Sequence, residues 1–394
     1  MLAAVFLLAA TAGAATRTGL EVLAEKQFAT LRGKRVGIVT NHTGTTPDGQ
    51  RAIDLLFGAR DVKLTAIFTP EHGISGLRDD PHIESGKDEA TGVPIFSLYG
   101  SGSEGRRYRP TPEMMRQVDA IVFDIQDIGA RFYTYSTTLG YMIEEAARAR
   151  IPIYVLDRPN PINGVAVEGP LLDDQYFSFV GYMRMPIRHG MTIGELARMF
   201  NGERKIGAEL HVIRVDGWRR AQFLDETALP WVNPSPNMRS LTQAILYPGV
   251  CLLESRQVSV GRGTETPFQM IGAPWLKGRE MAEYLNGRGI AGARFIARRF
   301  RPNASVFKDQ DCDGVEIFLS DRKALHSVEL GIELLAAVIK LHPGKFDVAG
   351  IMRLLGNEAT AAKLKAGEDP RRIVQSWSAD LAAFQKIRSK YLLY

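Results

Sequence analysis

The chain has 394 residues, of which 45% are hydrophobic and 24% are charged. This is the composition of a globular protein, and it excludes disordered, collagen-like and coiled-coil chains. The 49 Lys and Arg residues against 44 Asp and Glu give a net charge of +5, with no block of like charges. Nucleic-acid binding is therefore not indicated, although an anionic small substrate would suit this mild positive charge. The length predicts two or three domains. The two cysteines, Cys251 and Cys312, could form a disulfide, but one disulfide is too few to hold such a chain together.

The chain begins with an apolar segment that ends in small residues, with Ala-Gly-Ala at 12–14. This pattern predicts a signal peptide over 1–14, which is too short to span a bilayer as a mature helix. A buried N-terminal helix is the alternative interpretation. No later stretch approaches 18 apolar residues, so we expect no membrane span and an exported protein, periplasmic or extracellular.

The first half repeats one pattern, in which a short apolar run is followed by a polar cluster and then by a helical stretch. The predicted strands are Arg35–Thr40, Lys63–Phe68, Val93–Phe96, Asp119–Phe123 and Ile151–Leu156. The predicted helices between them are Gly49–Phe57, Thr111–Val118 and Thr138–Arg150. Continuous apolar runs are typical of strands buried on both faces, so the alternation predicts an α/β fold with an open, Rossmann-like parallel sheet.

The polar clusters follow the predicted strands directly. They are Asn41-His42, Glu71-His72-Gly73, Tyr99-Gly100, Asp124–Asp127 and Asp157–Pro161. Because the carboxyl ends of parallel strands meet at one edge of the sheet, we expect these clusters to converge on one binding crevice. No Gly-x-Gly-x-x-Gly follows the first predicted strand and no P-loop sequence occurs, so no nucleotide cofactor is predicted.

The second half begins with an irregular, proline-rich segment, Trp231–Met238. We predict a Rossmann-like domain over 19–237 and a smaller α+β domain over 238–394. Within the latter, a helix at 277–287, a strand pair at 293–300 and 314–319, and amphipathic helices towards residue 394 are expected.

Two of the clusters carry groups suited to acid–base chemistry. Glu71 and His72 lie side by side after a strand, where Glu71 could act as a general acid or merely cap the next turn. Asp124 and Asp127 precede Arg131, which could clamp a substrate carboxylate or form a structural ion pair.

Further polar residues follow the fifth predicted strand. Asp157, Arg158 and Asn160 lie in a proline-rich loop, and an interdomain salt bridge is the alternative role for Asp157. Glu168 supplies a second glutamate near the same edge, and paired carboxylates are what glycoside hydrolysis requires. Thr192 and Glu195 form a capping-box pattern, so Glu195 is predicted to be structural.

The motifs together resemble those of the exo-β-N-acetylmuramidase family over nearly the whole chain. They are Thr69–Gly73, Asp124–Tyr135, Asp157–Pro161, Glu168–Pro170, Asn233–Met238, Tyr247–Gly249 and Gly261–Thr264. The resemblance implies a Rossmann-like domain and a smaller domain with the cleft between them. It also implies an exo-glycosidase that releases N-acetylmuramic acid from the non-reducing ends of peptidoglycan fragments, without metal or organic cofactor.

Carried over residue by residue, the resemblance makes Glu71 the catalytic glutamate and Glu168 the second carboxylate. Peptide-free muramic acid carries a lactyl carboxylate, which makes arginines candidate ligands for it. The predicted substrate-binding residues are His72, Asp124, Asp127, Arg131, Tyr133, Asp157, Arg158, Asn160, Asn237 and Arg262.

The sequence leaves three mechanisms open: retention, inversion and participation of the substrate's 2-acetamido group. Two other functions also remain. One is a sugar-binding protein that captures muropeptides without cutting them. The other is a metal-assisted hydrolase that uses His72, Asp124 and Asp157, although no metal-binding spacing such as His-x-x-x-His or Cys-x-x-Cys occurs.

Overall fold

A computed structural model describes residues 15–78, 83–102 and 105–394, and the predicted signal peptide lies outside these ranges. The strands in this part of the chain are β1 (Arg35–Thr40), β2 (Lys63–Thr69), β3 (Gly86–Lys87), β4 (Pro94–Ser97), β5 (Gly100–Gly102), β6 (Gly105–Arg107), β7 (Ala120–Asp124), β8 (Ile153–Leu156), β9 (Leu210–Ile213), β10 (Met270–Ala273), β11 (Ala293–Phe300) and β12 (Cys312–Leu319). The helices are α1 (Gly19–Glu25), α2 (Ala52–Phe57), α3 (Pro112–Met115), α4 (Tyr135–Ala149), α5 (Ile193–Glu203), α6 (Leu241–Val250), α7 (Gly278–Gly287), α8 (Ser327–Leu341), α9 (Met352–Leu355), α10 (Glu358–Lys365), α11 (Pro370–Gln375) and α12 (Ser378–Ser389).

The N-terminal half is built on one sheet of seven strands in the order β3-β4-β2-β1-β7-β8-β9. All its neighbouring pairs are parallel except β3 and β4. Strands β7 and β8 are buried along their whole length, because helices cover both faces of the sheet. The predicted α/β class with a Rossmann-like sheet is confirmed.

Two layers of helices enclose this sheet. Apolar residues of α1 and α2, such as Leu20 and Leu56, pack with the strands in one core cluster. Those of α4 and α5, such as Leu139 and Phe200, belong to a second cluster that continues into the C-terminal half. Thr192 caps α5 and the Glu195 side chain accepts from the Thr192 N–H, as the capping-box pattern predicted.

The C-terminal half contains a three-stranded antiparallel sheet in the order β10-β12-β11, with α7 packed on it. Helix α8 packs against α6 and lies at the centre of the larger core cluster. The predicted strand pair is present, whereas α3 ends at Met115 rather than Val118. Both cysteines are buried free thiols, so they do not pair.

The end of the chain returns to the N-terminal sheet. The Tyr394 hydroxyl donates to Oδ2 of Asp157 at 2.6 Å, and Arg198 donates to the Tyr391 carbonyl at 2.9 Å. The two halves are therefore joined by more than the chain segment between them, and the division at 237/238 stays a prediction. In the part of the chain that the structure describes, no helix combines the length and apolar character needed to cross a bilayer.

Candidate active site

A cleft of about 380 Å³ lies between the carboxyl edge of the seven-stranded sheet and the C-terminal helices. From the N-terminal half it is lined by Glu71, His72, Tyr99, Phe132, Tyr133, Thr134, Tyr135, Phe179 and Val180. Residues from the proline-rich segment onward complete the lining, namely Ser235, Met238, Tyr247, Cys251, Glu254, Arg262, Phe268, Gly350, Arg353 and Leu354. The size and the mixture of aromatic and charged walls suit a sugar.

Glu71 is positioned by the end of β2 and the start of α4. The Thr134 hydroxyl donates to Glu71 Oε2 at 2.6 Å, while Oε1 accepts no hydrogen bond from any described residue. His72 follows in a left-handed conformation with φ of 70°, and its Nδ1 lies 2.8 Å from the Arg78 carbonyl oxygen. The carboxylate is thus held at one oxygen and open to a ligand at the other.

Two buried tyrosines form the floor beside Glu71. Tyr133 and Tyr135 pack edge to face with ring centroids 5.0 Å apart, and the Tyr135 hydroxyl donates to the Pro234 carbonyl at 2.7 Å. Burial raises the pKa of both phenols, so both remain hydrogen-bond donors at neutral pH. Tyr247 packs edge to face on Tyr133 from the C-terminal half and extends this aromatic wall.

Two arginines of the C-terminal half reach the cleft. Arg262 Nε lies 2.8 Å from Glu254 Oε1, which gives the cleft an ion pair and a second carboxylate besides Glu71. Arg353 is exposed, and it forms no hydrogen bond or ion pair with another described residue. Sequence reasoning missed Glu254 and Arg353. The only signal for Glu254 was its closeness to the Gly261–Thr264 motif.

Arg131 does not line the cleft, contrary to its predicted role as a substrate clamp. Its guanidinium is buried and donates to four carbonyls, including those of Leu354 and Leu355 at 2.7 and 2.9 Å. Because burial among neutral acceptors disfavours the charged form, its pKa is lowered to about 9. Arg131 therefore positions the cleft wall that carries Arg353 and does not itself meet a ligand there.

Asp124 forms a structural ion pair, as the sequence allowed, but its partner is Arg158 rather than Arg131. Arg158 donates through Nε and one terminal nitrogen to both carboxylate oxygens, at 2.6 and 3.0 Å, and to the Thr45 carbonyl. Both side chains are buried, at the carboxyl ends of β7 and β8. The predicted binding of substrate by Asp124 and Arg158 is not supported by this position.

Asp157 and Asn160 likewise serve the loop after β8. Asp157 accepts from the Thr192 hydroxyl and the Gly194 N–H at 2.7 Å each, in addition to Tyr394, and burial raises its pKa to about 6. It forms hydrogen bonds rather than the interdomain salt bridge considered from the sequence. Asn160 donates to the Met191 carbonyl at 3.0 Å. Neither side chain lines the cleft.

Glu168 lies outside the cleft as well, which removes the geometric basis for a second catalytic carboxylate there. Its Oε1 is 2.7 Å from Nη1 of buried Arg188, and its Oε2 accepts from the Val328 N–H at 3.0 Å. Val328 lies in the first turn of α8, where a carboxylate complements the helix dipole. Glu168 therefore ties the N-terminal half to α8.

The metal-assisted alternative receives no support from the geometry, because His72 lines the cleft while Asp124 and Asp157 are held by the separate partners given above. Across residues 15–78, 83–102 and 105–394, no three His, Cys, Asp or Glu side chains are grouped to bind a metal ion. Asn237 is buried between Ser235 and Met238, which line the cleft.

Asp127 is buried next to His189 rather than exposed to the cleft. Its Oδ2 accepts from the Gly129 N–H at 2.7 Å and lies 3.9 Å from His189 Nε2. Burial raises the Asp127 pKa to about 7 and lowers the His189 pKa to about 3. Both groups are therefore neutral at pH 5 to 6, with the aspartate protonated.

We expect Asp127→Asn to flatten the decrease in stability between pH 5 and 8. The carboxyl of Asp127 has a higher pKa in the folded chain than in the unfolded chain, where it is about 3.9. Its contribution to the free energy of unfolding is thus complete below about pH 4 and is lost as pH rises through about 7. Urea unfolding at several pH values measures this slope.

Asp119→Asn is the matched control, since the Asp119 pKa is lowered to about 2 by Arg35 and its charge does not change in this range. An Asp127→Asn protein that keeps the wild-type slope up to pH 8 would show that this carboxyl is already ionised.

The family models and a curated relative identify the family of this chain. The models described as "Exo-beta-N-acetylmuramidase NamZ, N-terminal" and "C-terminal" match residues 36–242 and 245–394. The peptidoglycan beta-N-acetylmuramidase NamZ of Bacillus subtilis (strain 168) is 41% identical over 96% of this chain and 91% of its own length. Crystal structures of two DUF1343 family proteins from Bacteroides fragilis NCTC 9343 are 36% and 32% identical, with TM-scores of 0.82 and 0.78, over 96% of this chain and 99% of theirs. The chain therefore belongs to the NamZ family of exo-β-N-acetylmuramidases.

Proposed function

We propose that this protein is an exo-acting β-N-acetylmuramidase that releases N-acetylmuramic acid from the non-reducing ends of peptidoglycan fragments. Membership of the NamZ family supports the reaction. The observation that carries the proposal within the structure is the position of Glu71, whose carboxylate faces an aromatic cleft and is fixed at a single oxygen by Thr134.

Glu71 has the chemistry required at the leaving group. Oε2 is oriented by the Thr134 hydroxyl, so the proton to be transferred resides on Oε1, which has no partner among the described residues. In this mechanism Oε1–H donates to the glycosidic oxygen as the bond to the anomeric carbon breaks, and water supplies the new C–O bond at that carbon and returns a proton to the site. Glu254, held by Arg262, is the other carboxylate lining the cleft, and it replaces Glu168 as the candidate second group.

Arg353 is our candidate for recognition of the lactyl carboxylate. It is exposed at the cleft wall, has no internal partner in the described chain, and follows the segment that Arg131 fixes through the Leu354 and Leu355 carbonyls. Arg262 is already engaged by Glu254. A guanidinium can bind a carboxylate through two parallel hydrogen bonds, which would favour muramic acid over N-acetylglucosamine.

The test compares a chromogenic β-N-acetylmuramide with the matching β-N-acetylglucosaminide. The wild-type protein is expected to cleave the muramide preferentially. Arg353→Ala is expected to raise KM for the muramide by about tenfold or more, because a hydrogen bond to a charged group is lost, and to leave the glucosaminide rate unchanged. Arg116→Ala, at an exposed arginine directly after α3, is the control.

The alternative of a non-catalytic muropeptide receptor predicts tight binding of the muramide without release of the chromophore. Equal loss with both substrates in Arg353→Ala would instead show that the arginine acts on the shape of the cleft.

We also propose that the protein acts outside the cytoplasm, in the periplasm or the medium. The apolar segment 1–14 and its Ala-Gly-Ala site support this. Fractionation of cells and mass determination of the exported chain test it, and an uncleaved chain confined to the cytoplasm would contradict it.

A further inference from the structure

A second groove adjoins the active-site cleft at Ser235, which lines both. Its volume is about 580 Å³. The other lining residues are His42, Gly76, Leu77, Trp231, Val232, Asn233, Pro236 and Arg239. Two of its sides come from separate loops, one following Glu71 and one formed by the proline-rich segment. We call it the outer groove.

The proline-rich side of the outer groove is rigid. Trp231 Nε1 donates to Asn233 Oδ1 at 3.1 Å, and the Asn233 carbonyl is 2.5 Å from His42 Nε2. Burial lowers the His42 pKa, so the neutral ring donates its Nε2–H to that carbonyl. The next carbonyl, of Pro234, accepts from Tyr135 within the cleft. The groove wall and the cleft floor are thus one connected hydrogen-bonded unit.

The outer groove presents the surface chemistry of a sugar site. Trp231 is only partly buried, and Leu77 remains 77% exposed although it is large and apolar. A partly exposed indole with a hydrogen-bonded N–H offers its face to the apolar side of a pyranose ring. Asn233 adds a polar side chain on the exposed rim.

A positive charge lies at the same groove. The Arg239 side chain is 41% exposed, and its carboxylate partner, Glu265, is 3.5 Å away and almost fully exposed. Such a surface pair is weak, since water screens it. Nε of Arg239 is held by the Pro236 carbonyl at 3.0 Å, which orients the guanidinium along the groove wall.

We propose that the outer groove binds the leaving-group side of the glycan, a role that rests on the proposed function. The N-acetylglucosamine released from the scissile bond stacks on Trp231 beside Leu77. The lactyl carboxylate of the following muramic acid then meets Arg239, which supplies the charge complementarity. Because the groove opens from the cleft at Ser235, an exo-acting enzyme can hold a chain whose first sugar fills the cleft.

The experiment uses the full-length enzyme with a disaccharide, N-acetylmuramic acid linked to N-acetylglucosamine, and a tetrasaccharide of two such units. Trp231→Ala is expected to lower kcat/KM for both by about 2- to 10-fold, the worth of an aromatic contact. Inhibition by free N-acetylmuramic acid, which fills the cleft alone, should be unchanged. Arg239→Ala is expected to affect the tetrasaccharide only.

Two further variants keep the test decisive. Leu77→Ser alters a side chain that is too exposed to affect folding, and it should also lower kcat/KM, as Trp231→Ala does. Trp231→Phe should restore most of the activity. Phe57→Ala, at an exposed aromatic of α2, is the neutral control.

Unchanged disaccharide kinetics in both Trp231→Ala and Leu77→Ser would overturn the proposal, as would equal weakening of inhibition by free N-acetylmuramic acid. A wild-type enzyme that cleaves neither oligosaccharide would instead refute the proposed function itself.

Discussion

Replacing Glu71 with glutamine is expected to lower kcat for the muramic acid disaccharide by about 10²- to 10⁴-fold, the usual contribution of a general acid. Glutamine has the same shape and its amide oxygen can still accept from Thr134, so the affinity for free N-acetylmuramic acid should be retained. Steady-state kinetics and calorimetric titration of the product measure the two quantities separately.

The leaving group distinguishes a general acid from a nucleophile at this position. In an aryl muramide whose phenol is strongly acidic, the phenolate leaves without being protonated. Glu71→Gln should therefore impair cleavage of this substrate far less than cleavage of the disaccharide. Equal loss with both substrates would assign Glu71 to the attack on the anomeric carbon. Glu113→Gln, at an exposed side chain of α3, controls for loss of a surface charge.

Replacing Glu168 with glutamine is expected to reduce stability by about 3–5 kcal/mol, the effect of breaking a buried ion pair from one side. The change leaves Arg188 buried, with 2% of its side chain exposed, and removes the carboxylate with which it pairs. Oxygen of the glutamine can still accept from the Val328 N–H. The midpoint of urea unfolding measures the loss.

Activity separates this structural role from the catalytic one that the sequence suggested for Glu168. The folded Glu168→Gln protein should keep the wild-type kcat, because the side chain does not line the cleft. Adding Arg188→Met should restore part of the stability by removing the uncompensated charge. A large fall in kcat without loss of stability would return Glu168 to the active site.

The sheet could be predicted from the sequence because burial on both faces demands continuous apolar runs. Strand β1 has the predicted bounds, Arg35–Thr40, and the Thr192 capping box starts α5 where expected. Strand β9 was missed, since Leu210–Ile213 is only partly buried and lacks a strong apolar signal.

The roles of the polar residues depend on the order of the strands in the sheet, which no local sequence pattern shows. Glu71 and Tyr99 follow β2 and β4, on one side of β1, whereas Asp124 and Asp157 follow β7 and β8 on the other. The latter side is closed by Arg158 and by the end of the chain. Carboxylates that look equivalent in sequence are therefore divided between a ligand cleft and the interior.

The contact between Tyr394 and Asp157 has a consequence for how the chain folds during synthesis. The two residues are 237 positions apart. The ribosome therefore completes β8 and Asp157 long before it adds Tyr394. Until then the carboxylate lacks one of its donors, and burying it is costly. We therefore expect the loop after β8 to reach its final packing only after the C-terminal residues have been translated.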